Sequence, residues 1–209
     1  MRLQGKWYLL ILFIPGLIIG KDPIDKAISK NLNTIIDLRH QIHQYPELGN
    51  REFKTAKLVA EHLRSLGIEV ETDIAYTGVV GVLKGNKPGP VVAVRADMDA
   101  LPVTEETDLP FKSTVKTTYL DKEVGVMHAC GHDIHTSVQL GVASVLASMK
   151  RSLPGTVKFI FQPAEEGPPP GEEGGAELML KEGVFDNPKP SAVFGLHTHA
   201  ALEVGELGL

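Results

Sequence analysis

The sequence predicts an α/β protein, a sheet covered by helices, and three observations carry that prediction. Apolar residues recur at every third or fourth position in long stretches, short β-branched runs stand between glycine- and proline-rich turns, and the two kinds of segment alternate along the chain. With 209 residues, 43% of them hydrophobic and 22% charged, the chain can bury a substantial core. That composition excludes wholesale disorder, a collagen repeat and a disulfide scaffold.

Residues 1–20 stand apart. Arg2 and Lys6 precede the apolar run 7–19, which Gly20 and Lys21 close. The run is shorter than an ordinary membrane span and fits the core of a signal peptide. Segment 1–20 is therefore expected to be a leader or anchor, making the protein exported or membrane-tethered, and residues 21–209 are expected to form the folded part. In 24–42, Ile24, Ile28, Leu32, Ile35, Leu38 and Ile42 line one helical face, which Tyr45-Pro46 ends. A second helix is predicted over 51–66, with Phe53, Ala56, Val59, Ala60, Leu63 and Leu66 inward and Gly67 as its stop. Strands follow at 68–72, 78–83 and 91–96, the last two separated by the turn segment 85–90. The stretch 97–127 reads as loop. Beyond it come a helix at 132–149, a strand at 156–161, a helix at 173–181 and a strand at 192–196. The glycine- and proline-rich segment 167–175 is too short for a domain linker and reads as a stiff loop.

Charge and cysteine content narrow the function. Lys and Arg total 21 against 26 Asp and Glu, a net charge of −5, and no basic run offers a footprint for nucleic acid. The single cysteine, Cys130, has no partner within the chain, so it is a core thiol, a reactive thiol or a metal ligand. A lone thiolate ligand also suits a reducing cytosol, the alternative compartment. Candidate chemistry gathers where strands end or helices begin, in Arg95-Ala96-Asp97-Met98-Asp99, Cys130-Gly131-His132-Asp133, Glu165-Glu166 and His197-Thr198-His199. Each has a bland reading taken singly. Together, thiol, imidazole and carboxylate are the donors that hold Zn²⁺ and similar ions. Gly131 permits the sharp turn that brings Cys130 and His132 onto one or two ions. Of the adjacent glutamates, one carboxylate can bind metal while the other remains free to move a proton, a division that suits hydrolysis. Pro163 breaks strand pairing just before them. No G-x-S-x-G elbow, Walker A loop or G-x-G-x-x-G fingerprint is present. A nucleophilic Cys130/His132 pair fits less well than a shared metal.

These residues also carry a family likeness. Asp37-Leu38-Arg39-His40 with Tyr45-Pro46-Glu47-Leu48, Arg95-Ala96-Asp97-Met98-Asp99-Ala100-Leu101-Pro102, Met127-His128-Ala129-Cys130-Gly131-His132-Asp133, Phe161-Gln162-Pro163-Ala164-Glu165-Glu166-Gly167 and Gly195-Leu196-His197 resemble the M20 metallopeptidase/amidohydrolase family. The likeness is to its branch of N-acyl-amino-acid amidohydrolases, hippurate hydrolases and auxin-conjugate hydrolases. It implies a mixed sheet flanked by helices, a Zn-peptidase-like catalytic domain, and hydrolysis of the amide bond of a small-molecule N-acyl amino acid at two divalent ions, Mn or Zn, with Co or Ni as alternatives. By the resemblance Cys130, His132, Glu166 and His197 match metal ligands, Glu165 matches the general base, and Asp99 matches a carboxylate that orients ligands. Cys130 in a ligand position favours this branch over the di- and carboxypeptidase branches.

Ala200 stands where many relatives have proline, which leaves His199 as a competitor to His197. The remaining histidines, His40, His43, His62, His128 and His135, are read as structural, His128 being the one expected to line the site. The resemblance further implies one more ligand, a histidine near the end of a chain about twice this long, and a lid and dimerisation domain that would begin where this chain stops. The expectation is a catalytic domain truncated before that lid, with reduced metal occupancy and weak turnover; the alternative is an inactive metal-binding fragment or interaction module. The resemblance also implies a homodimer, formed in the family through that dimerisation domain.

Overall fold

The computed structural model describes residues 22–208. Segment 1–20, with the leader or anchor expected of it, lies outside the described residues. Among those described, no helix is long and apolar enough to cross a membrane.

Helix α1 (Pro23–Gln44) begins where Asp22 caps it, its Oδ1 accepting from the Ile24 amide at 2.8 Å, with Pro23 in the first turn. Helix α2 (Phe53–Ser65) is capped from upstream. The Glu47 carboxylate accepts from the Lys54 and Thr55 amides, each at 2.9 Å, and from the Thr55 hydroxyl at 3.0 Å. Then follow β1 (Glu69–Ile74), β2 (Gly78–Lys84), β3 (Lys87–Asp97), β4 (Lys116–Tyr119), β5 (Lys122–Gly125), α3 (His132–Ser148), β6 (Pro154–Gln162), α4 (Gly175–Lys181) and β7 (Ala192–Gly195).

The main sheet has the order β1-β2-β6-β3-β7. Its β1–β2 and β2–β6 pairs are antiparallel, while β3 runs parallel to both β6 and β7. Side chains of β6 alternate as the pleat requires. Val157, Phe159 and Phe161 enter a core with Val59 and Leu63 of α2, Leu140 of α3, and Val79 and Leu83 of β2. Ile160 faces the other way, toward Met179 and Val184 beside α4. Phe159 and Phe161 are fully buried, and each contributes about 1.5–3 kcal/mol of transfer free energy.

Several expectations change. The helical stripe of α1 is not an inward face along its whole length, for Ile24, Ile28 and Leu32 are 45%, 47% and 50% exposed and only Ile42 is buried. Helix α1 runs antiparallel to α3, with Ile35 beside Gly141 and both Arg39 and His43 at Asp133. Toward its N-terminus α1 therefore meets the end of α3, and the stripe has less to cover it. Phe53, at the first residue of α2, is 62% exposed. The stretch 97–127 is not all loop, because β4 and β5 form a hairpin closed by Leu120 and Asp121 at φ 49° and 60°. A two-residue hairpin turn with two positive φ angles usually announces itself by Asn-Gly, and Leu-Asp hides it. Strand β3 begins earlier than expected and α4 slightly later.

What matters for function is the common exit of the parallel strands. Asp97 pairs in register with Gln162, and Arg95 with Gly195. Residues 98–99, 163–166 and 196–198 thus leave the sheet at one edge, the C-terminal edge where open α/β sheets assemble sites.

Candidate metal centre

Helix α3 starts at this edge with His132, after a turn in which Gly131 has φ 85°. Any side chain there is strained, and a Cβ would lie 2.5 Å from the Thr198 hydroxyl, so only glycine lets Cys130 and His132 approach the segment that follows β7. At the exit of β6, Ala164 takes φ 46°, and this left-handed residue swings Glu165 and Glu166 out of the strand.

His132 is almost wholly buried. Its Nδ1 lies 3.1 Å from Asp99 Oδ1, and Asp99 Oδ2 accepts from the Glu166 amide at 2.9 Å. One carboxylate thus orients the imidazole and fixes the backbone of Glu166. Donation from Nδ1 leaves Nε2 with a bare lone pair, and this buried atom has no hydrogen-bond partner. Around it stand Glu165 Oε2 at 3.6 Å, Glu166 Oε1 at 3.7 Å and Asp97 Oδ1 at 3.7 Å. His197 uses Nδ1 on the Thr198 carbonyl at 2.6 Å and turns Nε2 to Cys130 Sγ at 3.7 Å.

Ligand atoms of Cys130, His132 and Glu166 all fall within 4.8 Å of one another, and so do those of Asp97, His132, His135 and His197. His132 belongs to both groups. The electrostatics point the same way. Burial, then the Glu166 carboxylate bonded beside it, and further the charges of Glu165 and Asp97, push the Cys130 thiol up to about 11. Burial opposes charge on His132, but the Asp99 bond and the charges of Asp97, Asp99 and Glu165 outweigh it and raise its pKa. Burial also opposes the charged form of Asp97, yet the His135 bond and the charges of His132 and Arg95 hold it at about 2. A buried lone pair facing three carboxylates, with a thiol kept protonated by burial and by their field, is a donor set that fits a divalent cation.

The structure brings all the sequence-predicted site residues to this edge: Cys130, His132, Glu166 and His197 gather there, with Glu165 and Asp99 against His132. His197 rather than His199 meets Cys130. His199 is exposed, and its Nδ1 accepts from the Ala201 amide at 3.2 Å. His128 is buried with both ring nitrogens unpartnered among the described residues, its ring 6.4 Å from that of His43, and burial lowers its pKa to about 4. His43 bridges Asp133 and Glu105 at 2.9 and 3.1 Å. Sequence reasoning placed Asp97 and Thr198 within the candidate clusters without giving either a role, and it read His135 as structural only. The available signals were the three-residue spacing of His132 and His135, which puts both on one helical face, and the two-residue spacing of Asp97 and Asp99 at a strand exit.

Residues 93–209 match the model of peptidase family M20/M25/M40. The chain belongs to this family. The matched stretch of this M20 chain begins within β3 and contains every candidate ligand named above. Over 172 residues, 82% of the chain, it is 50% identical to thermostable carboxypeptidase 1 of Saccharolobus solfataricus, covering 40% of that protein. It is 48% identical over 160 residues to the hippurate hydrolase of Campylobacter jejuni, a match of 77% of the chain and 38% of the relative. The chain therefore spans about two fifths of the length of these relatives. A crystal structure of the Bacillus subtilis YXEP protein, described as a dinuclear metal binding peptidase of the M20 family, superposes with a TM-score of 0.72 at 42% identity, over 87% of this chain and 46% of that one.

Proposed function

We propose that this chain carries the catalytic carboxylate and most of the metal ligands of an M20 hydrolase that cleaves the amide bond of N-acyl amino acids. The observation that carries the reading is the buried Nε2 lone pair of His132, set between a thiol and two glutamates and matched by no hydrogen-bond donor. Cys130, His132, Glu166 and His197 would hold two divalent ions; their mixed sulfur, nitrogen and oxygen donors admit Zn²⁺, Mn²⁺, Co²⁺ or Ni²⁺, and the family resemblance favours Mn²⁺ or Zn²⁺. Ions so held polarise an amide carbonyl and acidify water.

Glu165 differs from its neighbour. Among the described residues its carboxylate accepts no hydrogen bond, and its side chain is 35% exposed at the mouth of the site. In this reading it takes a proton from the attacking water and returns it to the departing amine, while Asp99, bonded to Nδ1, keeps His132 in the tautomer that presents Nε2. A cavity of about 590 Å³ opens beside Asp99 and Glu166, walled by Leu48, Phe53, Leu101, Pro102 and Val115, with room for an acylated amino acid. The relatives named for carboxypeptidase and hippurate hydrolysis support the amide bond as the target.

The test is Glu165→Gln, with metal content by plasma emission and turnover on N-benzoyl and N-acetyl amino acids. Metal content should hold while turnover falls by about 10²–10⁴-fold. Undiminished turnover would remove Glu165 from the mechanism, and a chain that binds no divalent ion would remove the metal centre.

A further inference from the structure

His197 reaches Cys130 from an insecure base. Strand β7 has only four residues, all exposed, and among the described residues it pairs with β3 alone. The sheet lets go of the chain at Gly195, two residues before His197. Something else must hold that imidazole, and the contacts of Thr198 identify it. The Thr198 amide donates to His135 Nε2 at 2.8 Å, and its hydroxyl donates to the Cys130 carbonyl at 3.1 Å, in the space Gly131 leaves open.

An amide N–H can only donate, so His135 Nε2 must be the unprotonated nitrogen of the ring. The ring proton then sits on Nδ1, which faces Asp97 Oδ1 at 2.7 Å. Asp97 is itself held by Arg95, whose Nη1 donates to Oδ2 at 2.5 Å. Both nitrogens of His135 are committed, and none is left for an ion, although its atoms fall within the four-residue group around His132.

We propose that His135 is a positioning residue and not a ligand: held by Asp97, it clamps the Thr198 amide and thereby fixes His197 against Cys130. The inference rests on the metal-centre reading above and adds to it a device that sets the affinity of the His197 side.

Two measurements test the clamp. The first is cobalt uptake, followed by visible absorption, in the wild type, His135→Leu and His135→Gln. Leucine removes both hydrogen bonds and should weaken uptake by about 10–100-fold, the usual cost of losing a residue that orients a ligand. Glutamine retains a donor and an acceptor and should recover most of that loss; equal uptake by wild type and His135→Leu, or a glutamine variant as weak as leucine, overturns the proposal. The second measurement does not depend on any variant folding. Long-range proton–nitrogen correlation spectra of the wild type, with and without zinc, should show His135 as the Nδ1–H tautomer in both states. A proton on Nε2, or an Nε2 resonance displaced by bound zinc, overturns the clamp. A wild-type chain that takes up no cobalt overturns the metal-centre reading, and the tautomer alone then decides the clamp.

Discussion

Glu52 is a fully buried carboxyl at the start of α2, and its ionisation should govern stability across neutral pH. Its two oxygens accept from the Thr77 hydroxyl at 2.5 Å and from the Ala164 amide at 2.7 Å. Burial outweighs both bonds, the charge of Asp99 adds to it, and the pKa rises from 4.5 to about 7. The sign follows from proton counts. Between those values the folded chain keeps a proton that the unfolded chain has released, so stability falls as pH rises through this window. The displacement, at about 1.4 kcal/mol per pH unit, corresponds to a loss of about 3 kcal/mol once pH exceeds the folded value. Below 4.5 the group costs nothing. Glu52→Gln stays neutral throughout; its oxygen can accept from Ala164 and its amide can donate to the Thr77 hydroxyl. Urea unfolding of both proteins in a chelator, at about pH 5 and about pH 8, isolates this group from every other titration. Part of the loss is already present at pH 5, so relative to wild type the variant should gain about 2–3 kcal/mol between the two conditions. A difference in stability that is the same at both pH values would refute the reasoning.

Other outcomes follow from single residues. Lys158 is buried on β6 and donates through Nζ to the carbonyls of Val184, Asn187 and Pro188 at 2.6, 3.2 and 3.3 Å. Lys158→Met leaves those carbonyls without a donor and should cost about 2–3 kcal/mol by calorimetry; an unchanged Tm would show that water replaces the ammonium freely. Gly131→Ala forces an alanine into φ 85° at about 1–2 kcal/mol and drives its Cβ into Thr198. Cobalt affinity should fall in that variant by more than the stability loss accounts for, and retained affinity would argue against the contact between Gly131 and Thr198.

Much of this molecule is legible from the chain alone where the signal is local. The period of three to four in α2 and the β-branched runs of β2, β3 and β6 depend on burying one face, which neighbours in sequence report. Cys130, His132 and the glutamate pair stand out because unusual donors sit at the ends of such runs. The hairpin of β4 and β5 escapes because its turn residues are atypical, and the exposed half of α1 because periodicity records an apolar face without recording what covers it.

Contacts between distant segments are another matter. Glu52 braces Ala164 across 112 residues, and His135 meets Thr198 across 63. Neither pair forms a motif. The chain's own pattern carries the kind of protein: alternating helices and strands, with candidate metal donors at strand ends. Tertiary contacts alone put β6 between β2 and β3, turn His197 rather than His199 to the thiol, and set Asp97 and Thr198 on the two ring nitrogens of His135. Local patterning states which side of an element is buried; the partner on that side is selected when the whole sheet closes on its core.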